Sequence, residues 1–257
     1  MITRELAVGA APDLDVDVKS APVTIDRGAS GAVIVHVDTN HPDHWRVSQS
    51  GDSIVVREEG GGFRVRRSGA RVRITVPDGT ATRVTTASGD VTVLVTTGRT
   101  SIATASGDVR IGVASSLSVK SASGDVVIDR VVGDAELKSA SGDLTAATVG
   151  GDLQTTTASG DLRVDTISGN ARIATASGDI RIARFEGTSF VVNTVSGDVS
   201  VGVPSGRSVD LDVNTLSGDV SLPERRADAA PADPDQPKLH LTMRVKSVSG
   251  DFRLARA

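Results

Sequence analysis

From about residue 81 onward, nine aspartates close the same tripeptide, Ser-Gly-Asp: Asp90, Asp108, Asp125, Asp143, Asp161, Asp179, Asp198, Asp219 and Asp251. Each follows a glycine, at Gly89, Gly107, Gly124, Gly142, Gly160, Gly178, Gly197, Gly218 and Gly250. A column of carboxylates at a fixed repeat offers hard oxygen ligands, so calcium binding is the first chemistry to weigh. The calcium-binding nonapeptide, however, reads Gly-Gly-x-Gly-x-Asp, and its glycines shape a cage of backbone carbonyls. Here Gly and Asp are adjacent and the paired glycines of that cage are missing. The tripeptides are therefore read as a structural turn ladder, with positive φ at glycine and Ser and Asp bonded to nearby backbone groups, and no metal is assigned. Stacked carboxylates repel, and Arg110, Arg163, Arg181 and Arg253, two residues beyond their aspartates, are available to offset this.

Other groups able to do chemistry are sparse. Thr104-Ala105-Ser106, Thr157-Ala158-Ser159 and Thr175-Ala176-Ser177 would put two hydroxyls per repeat on the outside, in the manner of an ice-binding Thr-x-Thr ladder. The second hydroxyl is always Ser and the turn glycine follows at once, so they are read as ordinary strand residues. His41-Pro42-Asp43-His44 offers two nitrogens and a carboxylate, but Pro42 opposes a helix and no third ligand can be named, which leaves a surface turn. His36 and His240 sit in alternating segments. No Ser/His/acid constellation stands out, there is no Tyr, and neither Trp nor His falls inside the regular repeats, so no catalytic residue and no cofactor is assigned.

The elements that position these residues are written in the glycine spacing. Gly124, Gly133, Gly142, Gly151, Gly160, Gly169, Gly178 and Gly187 recur every nine residues, and alternate members carry the Ser-Gly-Asp copy, so the unit is about 18 residues with two similar halves. Apolar residues follow a glycine by two and four positions, as at Val126 and Ile128 or Leu162 and Val164, which is one face of a strand. A further apolar residue seven positions on requires a corner or bulge. These seventh positions alternate in size, as Ala122, Val131, Ala140, Val149, Ala158, Ile167, Ala176 and Phe185, and predict alanines facing bulky partners across a narrow core. The predicted fold is all-β, a β-solenoid of roughly 18-residue coils with strands stacked about 4.8 Å apart.

Composition agrees with a thin core. Aromatics make up 2% of the chain, so branched aliphatics must fill the interior. A formal charge of −4 provides no basic stripe for nucleic acid. Cysteine is absent, which removes disulfides and thiolate metal sites. No run has the length of a membrane span, and the start has no signal-peptide apolar region, so a cytoplasmic protein is expected.

Residues 1–80 lack the beat but alternate, as in Leu14–Val18, Ala32–Val37 and Val72–Val76, and predict a non-repeating N-terminal β cap continuous with the repeats of 81–257. Ser-Gly-Asp spacings of 18, 17, 18, 18, 18, 19, 21 and 32 place insertions near the end. The largest, 223–238, is rich in Pro, Ala and charge and predicts a mobile excursion. A strand from Leu239 to Val245 follows, and the tail Phe252–Ala257 reads as a second cap.

The stretch Val72-Arg73-Ile74-Thr75-Val76-Pro77, then Val84-Thr85-Thr86-Ala87-Ser88-Gly89-Asp90-Val91, with the Ser-Gly-Asp units after it, resembles the bacterial "putative adhesin" or toastrack family. The resemblance implies a noncatalytic β-strand-repeat protein, in many relatives tied to envelope segments or cell-envelope stress signalling. The function expected is an interaction scaffold whose partner is a protein or a repetitive polymer. The alternatives are self-assembly of a second copy through uncapped ends and a carbohydrate-active or polymer-binding solenoid.

Overall fold

The computed structural model describes residues 1–59, 69–223 and 240–257, so the expected insertion 223–238 lies, apart from Pro223, outside the described residues. The first strands are β1 (Ile2–Ala7), β2 (Asp13–Val18), β3 (Val23–Arg27), β4 (Ala32–Asp38), β5 (Trp45–Ser50), β6 (Ser53–Glu58), β7 (Arg71–Val76) and β8 (Ala81–Thr86). Two long strands follow, β9 (Val91–Thr104) and β10 (Val109–Ser121). The regular repeats supply β11 (Val126–Val131), β12 (Ala135–Ser139), β13 (Leu144–Val149), β14 (Leu153–Ser159), β15 (Leu162–Ile167), β16 (Ala171–Ser177), β17 (Ile180–Phe185), β18 (Ser189–Ser196) and β19 (Val199–Val203). The last are β20 (Ser208–Ser217), β21 (Val220–Ser221), β22 (His240–Ser249) and β23 (Phe252–Arg256).

Alternate half-units build two facing parallel walls. Wall one runs through β11, β13, β15, β17 and β19, and wall two through β12, β14, β16 and β18. Registered partners such as Leu144, Leu162 and Ile180 are separated by one 18-residue coil. The long strands β9 and β10 bend from one wall into the other, each pairing in both. Between the walls lies one core of small and branched aliphatics, with Phe185 and Phe190 packed edge to face at 5.2 Å.

The two halves of a coil are built differently, and this overturns the expected alanine packing. In wall one a bulge follows the second inward residue, so Val126, Ile128 and Val131 all face inward, as do Leu162, Val164 and Ile167. In wall two the strand alternates without a bulge through Ala135, Leu137 and Ser139, or Leu153, Thr155 and Thr157. The seventh residue of that half then points outward. Ala122, Ala140, Ala158 and Ala176 are exposed, whereas the hydroxyl residues before them, Ser121, Ser139, Thr157 and Thr175, are buried. Size compensation runs instead along a wall, where Ala171 sits beside Phe190 in register.

At both ends spatial order departs from chain order. Next to β8 and β9 lie β2 and β3, and beyond these β6 and β7 continue the stack. Antiparallel β5 then covers β6, and β4 followed by β1 covers β7. At the other end β22 and β23 insert between β18–β19 and β20–β21, so β20 and β21 form the outermost described coil. The C-terminal tail is therefore an interior coil and not a cap: β23 is hydrogen-bonded on both edges, and a segment held this way cannot fray without breaking two ladders.

Candidate functional site

The Ser-Gly-Asp turns close wall two onto wall one and stack into a continuous ladder. Each aspartate Oδ1 accepts a hydrogen bond from the backbone N–H of the aspartate one coil further on, at 2.9–3.1 Å, in the spatial order Asp90, Asp108, Asp125, Asp143, Asp161, Asp179, Asp198, Asp251, Asp219. Arg181 adds an ion pair to Asp179 at 2.7 Å, whereas Arg110 approaches Asp129, at 3.9 Å, and not Asp108.

The turn glycines fall into two groups. Gly124, Gly142, Gly160, Gly178, Gly197, Gly218 and Gly250 have φ between +115° and +139°. Gly89 and Gly107 are not among the positive-φ glycines, and there the glycine N–H donates to the hydroxyl of Thr86 or Thr104. From Ser121 onward the hydroxyl instead donates to the serine carbonyl two residues later, as Thr157 does to Ser159 at 3.1 Å and Thr175 to Ser177 at 3.2 Å. One hydroxyl per coil thus ties down the turn, and it is buried from Thr86 through Thr194. Thr104, Thr157 and Thr175 are turned into the core, which overturns the outward Thr-x-Ser ladder. Both groups of glycines also meet the coil below: a Cβ on Gly107 would lie 2.2 Å from the Gly89 carbonyl oxygen.

A second ladder, which the sequence reading missed, runs along the opposite turn. The N–H of Asp152 donates to Asp134 Oδ1 and that of Asn170 to Asp152 Oδ1, both at 2.8 Å, and Asn170 Oδ1 accepts from Ser189 at 3.0 Å. The signal was present in Gly133-Asp134, Gly151-Asp152 and Gly169-Asn170, but of these only the last carries the preceding serine that marks every copy of the first ladder.

Beside this second ladder, along the outer face of wall two, lies an open groove of about 850 Å³. Its floor is one register row: Arg83, Ser101, Ser118, Glu136, Gln154, Arg172 and Val191 face outward from successive strands. Five strand steps separate Arg83 from Arg172, about 24 Å along the stack. Thr100, Ser116, Asp134, Asp152 and Asn170 form one side, and Arg99 joins Arg83 at one end. Lys138 donates a hydrogen bond to Glu136 and, through its charge, with help from the charge of Lys120 and a hydrogen bond from Ser118, holds the Glu136 carboxyl below its ordinary value. That is the opposite of what a general acid needs. The lining contains neither His nor an aromatic residue, so the arrangement offers guanidinium and hydroxyl donors beside carboxylate and amide acceptors, without a nucleophile–base pair.

The histidines lie elsewhere. His41 and His44 flank a short 3-10 turn with their rings stacked at 5.3 Å, and His36 Nδ1 shares a hydrogen bond with Thr3. Among the described residues no three His, Cys, Asp or Glu side chains are grouped to hold a metal ion, and no helix is long and apolar enough to cross a membrane.

The family model described as Toastrack DUF4097 matches residues 12–255. The chain belongs to this family. No curated protein matches this toastrack chain. Solved structures similar to it include a "putative lipid binding protein" from Parabacteroides distasonis ATCC 8503, at 16% identity and a TM-score of 0.47 over 100% of this chain and 96% of that one. A "putative adhesin" from the same organism gives 12% identity and 0.43 over 98% and 96%. A "putative adhesin" from Parabacteroides merdae ATCC 43184 gives 8% and 0.41 over 97% and 95%. In this toastrack chain the turns carry the eye-catching residues and the walls carry the accessible ones.

Proposed function

We propose that this toastrack protein is a noncatalytic binding scaffold that lays an extended, hydroxyl-rich polymer along the wall-two groove, in a setting related to the cell envelope. The observation that carries the reading is the register row from Arg83 to Arg172, which offers a polar side chain at each step of about 4.8 Å over a straight run. Guanidinium groups donate to sugar hydroxyls, and Glu136, Asp134 and Asp152 accept from them. Without an aromatic platform each step contributes little, so affinity accumulates with the length of the polymer.

Affinity electrophoresis through gels containing neutral or acidic polysaccharides tests this reading. Neutral polymers should retard the protein, and Glu136→Ala/Arg172→Ala should release most of that retardation while circular dichroism shows the strands retained. Equal migration of parent and variant would remove the groove from the proposal. New reducing ends appearing in the gel would instead make the protein an enzyme.

A further inference from the structure

The two ends of the stack are finished differently. At the N-terminal end the exposed edges are antiparallel strands with polar and charged side chains, Arg4 and Glu5 on β1 and Arg46 and Ser48 on β5, which is how sheets commonly discourage further pairing. At the C-terminal end β20 pairs only with β22 among the described residues, and its outer edge is that of an ordinary parallel coil.

Register shows that, among the described residues, this edge is chemically open. In wall two the inward-facing residue donates its N–H to the next coil, as Leu153 does to the Asn170 carbonyl at 2.8 Å. Leu153, Ala171, Phe190, Met243 and Leu211 occupy the same position in successive coils. Among the described residues Leu211 has no coil beyond it, so its N–H points off the end. Val209, Leu211 and Val213 face the core but are only partly buried, and Val220 and Leu222 beside them are 45% and 53% exposed. A half-covered aliphatic row next to unpaired donors is what an added strand would complete.

We infer that the outer edge of β20 accepts an extended segment of a partner protein in which apolar residues alternate with lysine or arginine. Charge selects this occupant. The outward row of β20 is acidic at Asp210 and Asp212, and the strand already seated on its inner edge has the complementary pattern. There Leu241, Met243 and Val245 face inward, Arg244 lies opposite Asp212 with an ion pair at 3.2 Å, and Lys246 lies opposite Asn214. Asp210 lies opposite Thr242, which leaves its charge without a cation across the ladder. A second copy fits less well: a two-fold pairing centred on Leu211 sets Asp210 of one chain opposite Asp212 of the other, and like charges directly opposed destabilise a sheet.

The probe is a fluorescent peptide with the sequence of residues 241–247, titrated against the whole chain and followed by anisotropy. Saturable binding is expected, weakened about tenfold by Asp210→Lys/Asp212→Lys and by a peptide carrying Glu in place of its Arg and Lys. Leu211→Pro removes an outward N–H without touching the inner ladder and should abolish binding; circular dichroism reports whether that variant keeps its strands, and the charge variant stands on its own if it does not. Absent binding, or binding indifferent to both charge changes, overturns the inference. So does concentration-dependent dimerisation of the parent chain that Leu211→Pro suppresses, because the occupant would then be a second copy.

Discussion

Replacing Asp143 by Asn and by Ala separates a turn ladder from a cation site. Asp143 Oδ1 accepts the N–H of Asp161, and its own N–H donates to Asp125 Oδ1, both at 2.9 Å. Neighbouring carboxylates lie one coil apart, about 4.8 Å. In bulk water two such charges repel by about 0.9 kcal/mol, and physiological salt cuts this to about 0.5 kcal/mol for each neighbour. Removing the charge therefore relieves about 1 kcal/mol. A hydrogen bond to a charged acceptor contributes about 1.5–3 kcal/mol, and a neutral acceptor about 1 kcal/mol less. Asn keeps the acceptor, so its gain and loss cancel to within about 0.5 kcal/mol. Ala keeps nothing, which leaves it about 1 kcal/mol less stable than Asn. The chain already contains the neutral version: Asn170 accepts from Ser189 in the second ladder. Urea unfolding followed by circular dichroism, with and without calcium, measures both variants. Equal losses for Asp143→Asn and Asp143→Ala would refute the reasoning, as would a calcium-dependent rise in the parent midpoint that Asp143→Asn abolishes.

Four further substitutions probe other parts of the stack. Thr155 Oγ1 is buried without a hydrogen-bond partner, in a column with Leu137 and Ile173, so Thr155→Val should raise the urea midpoint, by about 1 kcal/mol in stability. Gly160→Ala combines φ +120° with a Cβ 2.2 Å from the Gly142 carbonyl oxygen and should cost more than about 2 kcal/mol, whereas Gly206→Ala, at φ +86° with open space around it, should cost about 1 kcal/mol by thermal unfolding. Lys138 holds the Glu136 carboxyl below its ordinary 4.5, so the folded chain gains stability above that pH and loses it as pH falls through the lower folded-state value; Glu136→Gln should lessen the fall of the thermal midpoint as pH drops below 4.5.

Much of the architecture was legible because it is local. Strand, turn and strand repeat within each nine-residue half, and glycine spacing reports where the backbone turns. The groove was not legible. Its floor joins Arg83, Ser101, Ser118, Glu136, Gln154 and Arg172, which are ordinary polar residues of alternating strands until register places them in one row. Nor does the tripeptide carry its own context: Ser50-Gly51-Asp52 repeats it in an antiparallel hairpin, with Gly51 at φ +59°.

Residue order is enough to define the coil: an 18-residue period, apolar residues on the inner face of each strand, and glycine at the turns where a Cβ would meet the backbone of the neighbouring coil. These follow from backbone sterics and from the two-residue period of a strand, which act over a few neighbours. Besides the groove, two features arise only in three dimensions. The bulge occurs in one half of the coil only, so threonine and serine enter the core where alanine was expected, because a buried hydroxyl can satisfy the turn backbone and a methyl cannot. Coil order at the C-terminal end is the other. Every coil presents nearly the same hydrogen-bonding edge, so local chemistry does not distinguish neighbours, and the stack settles with β22 and β23 held inside and the acidic edge of β20 at its end.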